Sequence, residues 1–361
     1  MPPHPTLAEL GWNDFFAAGF APHAEEGLVP ARVMRELKGE YALETGAGRM
    51  TASPAGRLWH GEESIGSPAV GDWVAVRPPA SAREPGLIRA VLPRRSKFSR
   101  KAAGTRTDEQ VVAANVDTIF LMTGLDGDFN PRRIERYLAA GWESGAEPVL
   151  VLSKADLAEV ADDLAERVRR VGEIALGVPV HAVSSRTGQG MEALTPYLKP
   201  GRTVSALGSS GVGKSTLINF LLGKDVQRTG SVRSGDDRGR HTTTHRALFI
   251  TPSGALLLDT PGMRELQLWE AEEGLGVTFA DIEELAQDCR FNDCAHEGTP
   301  GCAVEAAVAA GTLDAGRVES YRKLQGEQRH VRAKQDQVSR LREKQRIKAL
   351  VKSADRFRPR G

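Results

Sequence analysis

The chain has 361 residues, 40% of them apolar and 26% charged, a balance that suits a soluble globular protein of two or three domains. Its formal net charge of +1 says little about partners, so the distribution of charge has to be read instead. No run of about 18 apolar residues occurs, which excludes a membrane-spanning helix, and three cysteines are too few for a disulfide framework.

Residues 1–27 read as a loosely held tail with one short amphipathic helix around Leu7–Phe20, whose Trp12, Phe15, Phe16 and Phe20 would pack on the body. Glu9 and Asp14 fall here with no basic segment ahead of an apolar core, so no secretory signal is expected. From Leu28 to about Leu92 the pattern is β, with strands expected over Leu28–Arg35, Glu40–Glu44, Arg49–Ala52, Val70–Val76 and Gly86–Val91, separated by Gly and Pro clusters. Five short strands fit an OB-type barrel, an oligonucleotide-binding module, with an SH3-like barrel as the alternative. Arg94, Arg95, Lys97, Arg100, Lys101 and Arg106 follow with no acid before Asp108, a connector suited either to phosphate or to plain solvation.

From Val111 to Gly262 strands and helices alternate, the signature of a mostly parallel sheet covered by helices on both faces. Strands are expected over Asp117–Thr123, Pro148–Leu152, Val178–Val183 and Thr203–Leu207. Asn130-Pro131 supplies an N-cap and a first-position proline for a helix to about Trp142. Further helices are expected over Leu157–Val171 and Met191–Leu198, and a hairpin over Ala247–Ile250 and Ala255–Asp259. Ser153-Lys154-Ala155-Asp156 ends one strand. A carboxylate at Asp156 can accept both N1–H and the 2-amino group of guanine, whereas adenine offers it a lone pair. Two such charge-assisted bonds at roughly 1.5–3 kcal/mol each imply discrimination on the order of 10²–10⁴. Ser184-Ser185, at the end of another strand, can present backbone N–H to guanine O6.

Thr203–Leu207 then leads into Gly208-Ser209-Ser210-Gly211-Val212-Gly213-Lys214-Ser215-Thr216, ahead of an apolar helical run. Strand, glycine-rich turn and helix is the setting of a phosphate-binding P-loop. Backbone N–H groups and the helix N-terminus would cradle phosphates, Lys214 would reach the β- and γ-phosphates, and Ser215 would bind Mg²⁺. Asp259-Thr260-Pro261-Gly262 closes a later strand, where Asp259 can hold Mg²⁺ through water and the Gly262 N–H can sense a γ-phosphate. Between them His241-Thr242-Thr243-Thr244 offers a hydroxyl to complete the Mg²⁺ shell, and the residues alone leave open which Thr serves. Met263 stands where many GTPases carry a water-orienting Gln, so slow intrinsic hydrolysis is expected.

Ordinary GTPases place the guanine elements after the P-loop; here they precede it, as a circular permutation of the sheet would require. Farther along, Cys289, Cys294, His296 and Cys302 form a Cys₃His set of the kind that closes a tetrahedral structural zinc site. Clustered cysteines of this kind point to a reducing, cytoplasmic setting. The polar helical end, Tyr321–Gly361, carries 14 Lys and Arg against four acids, a net +10 that suits either a basic arm for RNA, the reading favoured, or a solvated, partly disordered tail.

In this order the barrel, permuted P-loop domain, Cys/His cluster and basic tail resemble the ribosome small-subunit-dependent GTPase A (RsgA/YjeQ) family over nearly the whole chain. The resemblance implies a multidomain α/β protein: an N-terminal OB-type barrel, a circularly permuted GTPase domain and a C-terminal helical zinc domain. It implies Mg²⁺-dependent GTP hydrolysis, stimulated by the small (30S) ribosomal subunit, in late maturation of that particle. It maps Thr243 onto the switch Thr, His241 onto a residue used in hydrolysis, and the four Cys/His onto one zinc per chain. Where the family's guanine motif begins with Asn, this chain has Ser153, which cannot bridge base and P-loop as an amide can. The expected divisions are a tail to 27, barrel and connector 28–105, GTPase domain 106–266, zinc domain 267–320 and basic tail 321–361. The expected partners are the small subunit, its rRNA and GTP or GDP, with no membrane, for a monomeric protein. The alternatives are a permuted GTPase of another ribosomal particle, an RNA-binding scaffold with structural nucleotide, and a P-loop kinase.

Overall fold

The structure, a computed structural model, describes residues 4–37, 39–56, 67–81, 84–101, 109–126, 129–157, 161–223, 246–259 and 272–333. It divides into two compact units, Met1–Arg100 with Gln110–Gln267, and Lys101–Glu109 with Leu268–Gly361.

The first unit opens on a packed segment rather than a loose tail. Thr6 and Glu9 cap one turn reciprocally, the Thr6 N–H donating to Glu9 Oε2 (2.8 Å) and the Glu9 N–H to Thr6 Oγ1 (3.3 Å). Asn13 caps α1 (Asp14–Phe20) by accepting from the Phe15 N–H. Leu10 and Phe16 are buried, and Trp12 meets Trp73 edge to face with ring centroids 4.7 Å apart. That aromatic packing is what holds the segment down.

Five strands follow: β1 (Val29–Glu36), β2 (Tyr41–Thr45), β3 (Gly48–Pro54), β4 (Trp73–Arg77) and β5 (Gly86–Val91). β1, β2 and β3 pair as an antiparallel meander, β3 pairs with β5 in parallel, β5 with β4 antiparallel, and β4 closes back on β1. This closed Greek-key order is the OB type, and closure leaves no free edge inside the barrel. Ala31, Val33, Leu43, Val74, Val76 and Ile88 fill it. β4 starts at Trp73 rather than Val70 because Asp72 folds a turn, accepting from the Ala69 N–H (2.7 Å) and pairing with Arg94 (2.7 Å). Arg94 is therefore spent on the fold.

A short pair, β6 (Lys97–Lys101) and β7 (Glu109–Ala114), leads into a mostly parallel set of strands. Its strands are β8 (Thr118–Gly124), β9 (Glu147–Ser153), β10 (Val180–Ala182), β11 (Thr203–Gly208), β12 (Ala247–Ile250) and β13 (Leu256–Asp259). They lie in the order β10-β9-β8-β11-β13-β12, parallel except for β12, and β12 joins β1 of the barrel at Ala247–Arg35. β8 is buried at every residue, as a central parallel strand must be. Asn130 caps α2 (Pro131–Glu143) as its sequence requires, accepting from the N–H groups of Arg132 and Arg133. α3 (Ala161–Ile174) begins later than the apolar period suggests, because Ala155–Leu157 forms a separate 3₁₀ turn. Met191–Tyr197 is 3₁₀ rather than α, with Pro196 inside it and no N–H to continue an α ladder. α4 (Lys214–Leu222) follows β11.

The second unit is helical: α5 (Glu272–Thr278), α6 (Ala280–Ala286), α7 (Ala303–Ala309) and α8 (described over 315–333). Phe279, Ile282, Val304 and Leu324 form its core. Arg317 forks onto Asp281 with two 2.8 Å bonds while lying 4.9 Å over the Phe279 ring. Among the described residues no helix is long and apolar enough to cross a membrane.

Candidate functional site

The site lies at the carboxyl ends of β9, β11 and β13, where an open parallel sheet binds its ligands. β11 stops at Gly208 because the chain there runs against β8; a Cβ would sit 2.6 Å from the Met122 carbonyl oxygen. Ser209, Ser210, Gly211 and Val212 form the loop, and Gly213 turns into α4 with φ of 104°, a conformation open to glycine. α4 has no side-chain cap, so the N–H groups of its first turn, which holds Lys214, Ser215 and Thr216, face the loop as an anion site would need. Lys214 Nζ crosses the loop and donates to the carbonyls of Gly208 (2.6 Å) and Ser209, which places its charge at the loop mouth. The Ser205–Leu258 register sets Asp259 beside Ala206 on the neighbouring strand, just before the loop.

The elements expected to read the base meet this loop from the other side. Asp156 is fixed by Ser184, whose hydroxyl donates to Oδ1 at 2.6 Å; Arg186 lies 4.0 Å from Oδ2. Ser184 Oγ in turn accepts from the N–H groups of Arg186 (3.3 Å) and Thr187 (3.2 Å). The Ala155 N–H donates to the Val183 carbonyl at 3.0 Å, so the two turns are stitched together. One sequence expectation needs correction: the Ser184 N–H is consumed by the Gln189 carbonyl (2.8 Å). The Ser185 N–H is the amide of the pair that no hydrogen bond among the described residues takes up.

Ser153 makes half of the bridge that an amide would make. Its hydroxyl donates to the Val212 carbonyl at 2.6 Å, with Thr123 O at 3.3 Å, so serine makes the P-loop half of the bridge. A hydroxyl has one proton where an amide has two, so the half toward the base is what serine forgoes. Lys154 adopts φ of 62° and its ammonium pairs with Asp126. Asp126 was not singled out from the sequence; its one signal is an acid just past the β8 strand end. Thr243, His241 and Gly262 lie outside the described residues.

In the second unit the ligand atoms of Cys289, Cys294, His296 and Cys302 all lie within 4.8 Å of one another. Cys289 Sγ is 3.9 Å from Cys302 Sγ, and His296 Nδ1 is 3.7 Å from Cys289 Sγ and 3.4 Å from Cys302 Sγ. A tetrahedral zinc sets S···S at about 3.8 Å and S···N at about 3.5 Å, so the cluster fits that ion. The residues come from one knuckle: His296 takes φ of 55°, and Cys302 caps α7, accepting from the Glu305 N–H at 3.4 Å.

Comparison with known proteins agrees with this geometry. The RsgA GTPase family model matches residues 91–269. The ABC transporter model matches residues 191–353, a span holding the phosphate loop common to ATP- and GTP-binding P-loop proteins. The small ribosomal subunit biogenesis GTPase RsgA of Opitutus terrae is 51% identical and aligns over 96% of both chains. That of Syntrophotalea carbinolica is 41% identical over 98% of both. The crystal structure of YjeQ from Thermotoga maritima matches with a TM-score of 0.61 at 28% identity, covering 83% of this chain and 98% of that one. YloQ, described as a circularly permuted GTPase, shares the fold with a TM-score of 0.60 at 24% identity, over 85% of this chain and 97% of its own.

Proposed function

This chain belongs to the RsgA GTPase family and is a GTP-hydrolysing enzyme, and from that premise we propose that it acts on the small ribosomal subunit late in its assembly, with the subunit accelerating hydrolysis. Guanine would be read by Asp156 through N1–H and the 2-amino group, and by the Ser185 N–H through O6. The triphosphate would lie along Gly208–Thr216 with Lys214 against the β- and γ-phosphates and the Gly262 N–H beyond them. Ser215, Thr243 and Asp259 would hold Mg²⁺, which when bound neutralises charge on the β- and γ-oxygens. His241 would orient the attacking water in place of a Gln.

Zinc is the metal we assign to Cys289, Cys294, His296 and Cys302, in a structural role, since all four positions are protein ligands. The barrel and the +10 terminal segment suit rRNA. We assign the protein to the cytoplasm as a monomer.

What supports the nucleotide reading most is one seam: Ser153 reaches the P-loop at 2.6 Å while Ser184 holds Asp156 at 2.6 Å. Base-reading and phosphate-reading elements meet there although the chain presents them in permuted order. Co-sedimentation with separated subunits tests the partner. The full-length protein should pellet with small subunits in a non-hydrolysable GTP analogue, release in GDP, and ignore large subunits. Equal pelleting with both subunits would overturn the assignment.

A further inference from the structure

Strand β1 belongs to two structures at once. It closes the barrel with β2 and β4, and its end extends the GTPase sheet by pairing Arg35 with Ala247 of β12. Near its start Arg32, 2% exposed, donates from Nε to the Gly71 carbonyl (3.1 Å) and from Nη2 to the Asn115 carbonyl (3.1 Å) and Thr203 Oγ1 (2.9 Å). Its Nη1 donates to the Leu10 carbonyl. These acceptors come from the N-terminal segment, a barrel turn, the connector and the first residue of β11, the strand that ends in the P-loop. All four are neutral, and burial lowers the guanidinium's pKa to about 10, with Asp117 and Asp72 opposing the shift. It stays charged at neutral pH and fixes β1 against the foot of β11.

Four residues on, β1 is tied to the sheet a second time. Arg246 Nη1 donates to Glu36 Oε2 at 2.8 Å, with the Arg246 side chain 13% and the Glu36 side chain 38% exposed. Arg246 immediately precedes β12 and ends the stretch that carries His241 and Thr243. Together with the one Arg35–Ala247 rung among the described residues, this pair ties the end of β1 to the start of β12.

We propose that Glu36 and Arg246 are positioning residues for subunit-stimulated turnover alone, the pair through which a subunit engaged by the barrel acts on the catalytic sheet. Arg32 is the fixed end of β1, and Glu36–Arg246 is the end that bears on β12. The proposal rests on stimulation of hydrolysis by the small subunit.

The test is GTP turnover of full-length variants with and without purified small subunits. Glu36→Arg and Arg246→Glu should each cut the stimulated rate about tenfold, within the usual range of coupling between sites. Unstimulated turnover and subunit binding should stay within about twofold, a split that general misfolding would not produce. Glu36→Gln, which keeps the shape, should show a smaller loss of the same kind. The double reversal, Glu36→Arg with Arg246→Glu, should recover most of the stimulation. Single variants stimulated as fully as wild type, or a double reversal no better than the singles, would overturn the coupling. A wild-type enzyme indifferent to subunits would overturn the parent reading and this one with it.

Discussion

Asp156 is held by a neighbour's hydroxyl rather than by its own backbone, and that makes its orientation separable from its charge. Ser184→Ala removes the 2.6 Å bond and leaves the carboxylate in place but loosely aimed. GTP affinity should fall about 10- to 10²-fold, the worth of roughly one charged hydrogen bond, with a modest drop in melting temperature because the Arg186 and Thr187 N–H groups lose their acceptor as well. Titration with a fluorescent GTP analogue checks it, and affinity equal to wild type would contradict it. Asp156→Asn should lose far more and gain affinity for xanthine nucleotide, because the amide presents a donor where the carboxylate presented an acceptor. A residue outside the site gives a pH prediction. His181, with Nε2 3.0 Å from Tyr197 Oη, is held below its usual pKa of 6.5 by burial. As pH drops below 6.5 the unfolded chain takes up a proton that the folded chain does not, so stability is full above that pH and falls below it. His181→Gln should flatten the fall in melting temperature between neutral pH and about pH 5.5; parallel profiles for the two proteins would contradict it.

At the scale of elements, the metal knuckle makes the sharpest prediction. Cys289, Cys294, His296 and Cys302 sit between α6 and α7, two helices of seven residues each that are too short to be stable alone. Structural zinc supplies apparent binding energy of about 10–16 kcal/mol in small domains, more than such helices can bury. Purified protein should carry one zinc per chain, and Cys294→Ala should abolish hydrogen-exchange protection in α6 and α7 while β8, β9 and β11 keep theirs. Protection unchanged in α6 and α7 would remove the metal from the fold. Elements with strong local signals were legible in the sequence: the Asn130-Pro131 helix start, the P-loop between strand and helix, and the Cys/His spacing. What was not legible was set by hydrogen-bond partners that residue types and spacing do not specify. Asp72 delays the start of β4 because Arg94 and the Ala69 N–H claim its carboxylate. The Ser184 N–H is lost to Gln189, and Ser153 finds Val212 across 59 residues. The N-terminal aromatics gave no sign of which residue they would meet, and Trp73 supplies the surface.

At the scale of the molecule, a net charge of +1 conceals charge segregated along the chain, since Tyr321–Gly361 alone carries +10. If this segment meets rRNA phosphates as proposed, each contact releases counterions, so subunit binding should weaken steeply as salt rises. Nucleotide binding, built on buried and short-range bonds, should change little over the same range. The central claim is that this permuted GTPase is switched by the small subunit. Its most direct measurement is the rate of phosphate release from GTP by the full chain alone, with small subunits and with large subunits, at saturating GTP. Slow turnover alone, a rise of at least about 10²-fold with small subunits, in the range of a positioned water-orienting group, and no rise with large subunits is the predicted result. A rate independent of small subunits, or raised equally by large ones, would contradict it.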